Sequence, residues 1–162
     1  MSACSRSYGI SVSEPFSNVI HDNRDRVTDP INNTITAKDQ LRWLIKKGDL
    51  MLSNQPKIKR EWFTISFQEH SPRDGAIPIY SYDYDDLPSR CGNALNELTP
   101  IHTLNYDLKD LPIEQFRLRQ RPGLPLPFYA ASLSLTMNLD PRQLLVELRW
   151  KDTVLCSVTI GV

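Results

Sequence analysis

Residues 129–160 alternate in polarity almost without interruption, and this constrains the fold more than any other feature. Ala131, Leu133, Leu135, Met137 and Leu139 share one parity, and Ser132, Ser134, Thr136 and Asn138 share the other. A period of two puts each set on one face of an extended strand. After Asp140-Pro141, Leu144, Val146, Leu148 and Trp150 repeat the pattern. After Lys151-Asp152-Thr153, so do Val154, Cys156, Val158 and Ile160. Three strands joined by short turns form an antiparallel meander with one apolar face, which must be covered.

Two covers are expected upstream. In residues 36–47, Leu41, Leu44 and Ile45 follow helical spacing. Thr36 and Asp39 read as a capping pair, Lys46 and Lys47 suit the helix C-terminus, and Gly48 suits its left-handed stop. The other cover is a strand over residues 61–68, with Phe63, Ile65 and Phe67 on one face and Trp62, Thr64 and Ser66 on the other. Further strands are expected at residues 50–52 and 77–82, the latter at an edge because of Pro78. Residues 83–128 contain six prolines and read as loop, with helical turns at Ala94-Leu95 and at residues 113–116. The polar residues 1–33 read as a flexible arm. The expected fold class is therefore α+β: a single globular domain over residues 34–162, its antiparallel sheet covered by one or more helices.

With 162 residues the chain is long enough for one core. Lys plus Arg and Asp plus Glu are 19 each, so a polyanion or membrane is attracted only by a local patch. The three cysteines include no C-x-x-C pair, which fits a reducing compartment. The first twenty residues lack a signal-peptide apolar core, and no apolar run is long enough to span a bilayer. An intracellular protein is expected, neither secreted nor membrane-spanning.

Catalytic chemistry is sparse. A nucleophile would require Cys91 paired with His70 or His102, and no local motif supports that pairing. Asp83, Asp85 and Asp86 lack the spacing of a calcium loop, and no glycine-rich phosphate loop occurs. Binding without catalysis, metal or cofactor is the expectation. Lys46, Lys47, Lys57, Lys59 and Arg60 form one basic cluster. Arg117, Arg119 and Arg121 form another, all on one side of an extended segment. Either can meet nucleic-acid phosphates or anionic lipid, or simply be a solvated surface balanced by acids. Tyr80, Tyr82, Tyr84 and Leu87 suit a protein interface, because tyrosine is enriched in binding hot spots.

From residue 35 onward the order of features resembles the globular domain of rhabdovirus matrix proteins, the plant-infecting ones in length. The features are an amphipathic helix over residues 37–47, Asp49-Leu50-Met51-Leu52, a basic turn over residues 55–60 and an aromatic strand over residues 62–67. Pro112-Ile113-Glu114-Gln115-Phe116-Arg117 and the strand carrying Leu133-Ser134-Leu135-Thr136-Met137 follow. No PPxY or PTAP motif and no lysine-rich tail is present. The resemblance implies a virion structural protein of the host cytoplasm that self-assembles, binds the viral ribonucleoprotein and lines an anionic membrane. The alternative is a non-enzymatic adaptor, such as a viral host antagonist or a bacterial immunity-type protein, that blocks one protein partner, a host protein in the viral case, through residues 77–87.

Overall fold

The computed structural model describes residues 2–52, 54–93 and 98–162, and in them the chain is built from strands. Among the described residues the only helical segments are three 3-10 turns of three residues each. This corrects the expected α+β class: sheet, not helix, covers the meander. The turn expected at Ala94-Leu95 lies outside the described residues.

One sheet holds the meander, β10 (Phe128–Leu139), β11 (Gln143–Trp150) and β12 (Thr153–Gly161), in the order β12-β11-β10. Along its other edge β10 pairs with β6 (Lys57–Phe67), from Tyr129↔Phe67 to Leu139↔Lys57. Beyond the end of β11, the short β9 (Arg117–Arg119) pairs with residues 128–130 of β10. The alternation reads as expected, with one change. A register shift at Leu148/Arg149 places Val154 opposite Arg149, so Val154 leaves the apolar face and lies exposed.

The second sheet has the order β3-β4-β2-β7-β8, formed by β2 (Ser7–Pro15), β3 (Arg26–Thr28), β4 (Ile35–Ile45), β7 (Asp74–Tyr82) and β8 (Thr99–Asp107). A small ribbon pairs β1 (Ser2–Ala3) with β5 (Leu50–Met51). The inner faces of the two sheets share one buried cluster, in which Ile10, Ile79 and Leu104 join Leu133, Leu135 and Leu148. On one side β8 packs near β12. On the other, Arg42 Nη1 donates to Glu61 Oε1 and to the Trp62 carbonyl, both at 3.0 Å, tying β4 to β6. The result is a two-sheet β-sandwich.

Four expectations from sequence are corrected here. Of the residues 36–47 expected as a helix, those up to Ile45 belong to β4 and Lys46 and Lys47 follow it. Ala37, Gln40, Leu41, Leu44 and Ile45 are buried, which is helical spacing, but two bulges produce it. The β2–β4 register shifts between Tyr8 and Gly9 and again between Val12 and Glu14, and Asp39 has φ 55°. Each extra residue flips the strand's parity, so a period of two mimics a period near 3.6. Residues 1–33 are not a free arm: they supply β2, which pairs with β4 on one side and β7 on the other, burying Tyr8 and Ile10. Gly9 is required there, because a Cβ would lie 2.6 Å from the Arg42 carbonyl oxygen and 2.7 Å from the Trp43 ring. Residues 83–128, expected as loop, contribute β8 and β9. Pro78 lies one residue outside the β2–β7 ladder, which covers Ile79 to Tyr82, and β7 is an interior strand rather than an edge.

Candidate functional site

A two-sheet sandwich has two outer faces, and this one treats them differently. The outer face of the β3-β4-β2-β7-β8 sheet is covered by the segment after β7. Trp43 Nε1 donates to the Pro88 carbonyl at 2.8 Å, Leu41 N–H to the Ser89 carbonyl at 3.0 Å, and the Cys91 thiol to Ser11 Oγ at 3.6 Å. A buried ion pair locks this cover. Arg90 Nε donates to Asp25 Oδ2 at 2.6 Å and Arg90 Nη2 to Asp25 Oδ1 at 2.8 Å, while Gln40 Nε2 donates to Asp25 Oδ2 at 2.9 Å. The hydrogen bonds from Arg90, with that from Gln40, outweigh burial and hold the Asp25 carboxyl below its ordinary range.

The outer face of the meander sheet is open. Strand register fixes what it displays. One cross-strand row reads Arg60, Thr136, Glu147, Ser157, and the next reads Trp62, Ser134, Arg149, Val154. Farther along β10, Arg117 pairs with Ala130 and Arg119 with Phe128, on the same parity. Among the described strand residues, four guanidinium groups thus share one face with a single carboxylate, Glu147, in a chain of zero formal net charge. Glu147 accepts from Arg149 Nη2 at 3.0 Å. Among the described residues Arg60, Arg117 and Arg119 have no carboxylate partner within ion-pair distance; Arg60 Nε donates to Thr136 Oγ1 at 3.4 Å. Trp62 is 54% exposed midway along the edge strand β6, with the Arg60 guanidinium over its ring, 5.7 Å from the centroid. Exposed Thr64 and Ser132 lie beside it.

The structure divides the basic residues singled out from sequence. Arg60, Arg117 and Arg119 come together on this face. Arg121 lies just past β9 and donates to the Asn32 carbonyl at 3.4 Å. Lys59 has the opposite parity on β6. Lys57 lies 3.9 Å from Asp49. Lys46 and Lys47 follow the end of β4, where Lys47 pairs with Asp85 at 3.1 Å and donates to the Asp83 carbonyl at 2.8 Å. Arg149 and Trp62 were not singled out as site residues. Trp62 was legible from the parity of β6, but Arg149 joins the others only through the pairing of four strands.

The tyrosine segment does not present a single surface. Tyr82 is buried against Trp43, Tyr80 and Leu87 are half-buried, and Tyr84 is exposed with its ring against Tyr82. The Cys91 thiol bonds to Ser11 and Tyr80 rather than to an imidazole. Burial pushes it up from its ordinary value, which disfavours the thiolate a nucleophile needs. A cavity of about 210 Å³ lies at one end of the sandwich, bordered by Cys4, Tyr8, Met51 and Leu139 among others. Of the acidic loop, Asp83 pairs with Arg6 at 3.2 Å and Asp85 with Lys47. Among the described residues no three His, Cys, Asp or Glu side chains gather as metal ligands. No helix among them is long and apolar enough to cross a membrane.

Comparison with protein families gives one assignment. Residues 1–157 match the family described as domain of unknown function (DUF8568), and the chain belongs to that family. Comparison with curated proteins gives no match.

Proposed function

We propose that the protein is a non-enzymatic binding module that holds a phosphate-bearing polyanion on the open face of its meander sheet. The strand register carries this reading: it gathers Arg60, Arg117, Arg119 and Arg149 on one face against the lone Glu147. A local concentration of positive charge attracts polyanions even where the whole chain is neutral. A planar guanidinium also forms paired bonds with phosphate oxygens. The phosphates of a nucleocapsid and those of an anionic membrane both fit this chemistry, so a matrix-type role through this face is one form the reading takes. The helix that formed part of the matrix-protein resemblance is β4, so the proposal rests on the face and not on that resemblance. Docking of a host protein on residues 77–87 has less support, because Tyr82 is buried.

Titration with inorganic polyphosphate across 50–200 mM salt tests the proposal. Affinity is expected to fall as a power of salt concentration. Replacing Arg117 or Arg119 by Ala is expected to make the log–log slope shallower by about 0.7 each, the value for one phosphate neutralised on a single strand. Lys46→Ala, made on a residue outside this face, is expected to leave the slope unchanged. A slope that responds to Lys46→Ala and ignores both arginine variants contradicts the proposal.

A further inference from the structure

We infer that the polyanion is a single-stranded nucleic acid, with a base stacked on Trp62 and its backbone following the arginines along β10. This rests on the reading of the open face given above and deepens it.

Trp62 is the starting point. An indole more than half exposed on a strand leaves apolar ring surface in water that a partner can cover. Its immediate neighbours on the face are small or polar: Ser134 directly across, with Ser132 and Thr64 at the next pair. Ser134 is itself buried, and the exposed part of the indole borders the short, exposed Ser132 and Thr64. Every nucleobase offers a flat π-face when unpaired, and base–aromatic stacking is tolerant of sequence.

The arginines then flank the indole at separations set by sheet geometry. Arg149 sits two strands away in the same row, roughly 10 Å. Arg117 lies two strands across and four residues farther along β10, roughly 17 Å away, and Arg119 two residues beyond that. The Arg60 guanidinium lies over one face of the ring, 5.7 Å from its centroid, so a base takes the other face with Arg60 in reach of its phosphate. A strand of nucleotides laid along β10 therefore meets the stacking platform and then successive guanidiniums. A duplex buries its base faces within its own stack and leaves Trp62 without a partner. A lipid head group brings phosphate and no π-face. Of the phosphate-bearing polymers, the unpaired strand uses everything the face displays.

Four titrations at one salt concentration test the inference: an oligo(dT) of about twenty nucleotides, a duplex of the same length, inorganic polyphosphate, and vesicles containing anionic phospholipid. The oligonucleotide is expected to bind about 5–150-fold more tightly than polyphosphate, the range that stacking of one base supplies. It is also expected to quench tryptophan fluorescence. Trp62→Ala is expected to abolish that advantage, so that the variant binds oligonucleotide and polyphosphate equally, while Trp62→Phe keeps most of the advantage and removes the quenching. Oligonucleotide binding no tighter than polyphosphate, or an advantage that survives in Trp62→Ala, overturns the inference while the polyanion reading stands. So does tighter binding of the duplex or of the vesicles. Absence of polyphosphate binding overturns the polyanion reading itself.

Discussion

Removing residues 1–15 is expected to abolish cooperative folding. These residues include β2, an interior strand whose backbone bonds to β4 on one side and β7 on the other. Tyr8, Ile10 and Val12 are buried in the shared core. Burial of large apolar side chains is worth ~1.5–3 kcal/mol each, so three together approach the ~5–15 kcal/mol by which domains are usually stable. Deletion also leaves β4 and β7 with unpaired edges, which favours aggregation. Thermal denaturation followed by circular dichroism checks this. The full chain is expected to give one sharp transition, and the shortened chain no transition or a precipitate. An unchanged transition means that the segment is an arm after all.

The second large effect is expected at Arg90. Its guanidinium makes two bonds to the buried Asp25 carboxylate, and the pair fastens residues 83–93 over the outer face of the second sheet. Arg90→Ala leaves a buried carboxylate with Gln40 as its side-chain donor among the described residues, and breaking a buried pair in this way costs ~3–5 kcal/mol. Arg90→Lys is expected to lose less, because an ammonium keeps the charge but not the forked geometry. Urea unfolding at pH 7 measures both. The pH dependence has a definite sign. Asp25 has a lowered folded-state pKa, so its contribution is complete above the ordinary aspartate value of about 4. It is lost as pH falls through the lower folded value. Asp25→Asn is therefore expected to flatten the acid side of the stability curve. An acid limb unchanged in Asp25→Asn assigns the acid sensitivity to other carboxylates. Glu14 is a candidate: burial pushes its pKa up, but bonds from His21 and Arg42 outweigh this and hold it low.

The sequence revealed the fold unevenly, for physical reasons. The meander was legible because β10 and β11 each have one buried and one open face, and strict alternation records that difference. In β4 two bulges converted alternation into helical spacing, and Gly48, with φ 90°, closes a strand end as readily as a helix. In β2 the alternation was present: Tyr8, Ile10 and Val12 against Ser7, Gly9 and Ser11. The second set is small and polar because it lies toward the covering loop and the Trp43 ring, and this composition suggested a tail. The site was partly legible. Arg117 and Arg119 share a face in any extended segment. Their union with Arg60, Trp62 and Arg149 depends on which strands pair and in what register, and no local pattern encodes that.

The central claim is that ligand lies on the outer face of the meander sheet. Chemical-shift mapping by nuclear magnetic resonance with oligo(dT) tests it most directly. The expected perturbations follow the outward parity: the Trp62 indole N–H, the guanidinium groups of Arg60, Arg117, Arg119 and Arg149, and the amides around Ser132, Ser134 and Thr136. Perturbations confined to Lys46, Lys47 and the loop carrying Tyr84, with the outer face silent, would contradict it.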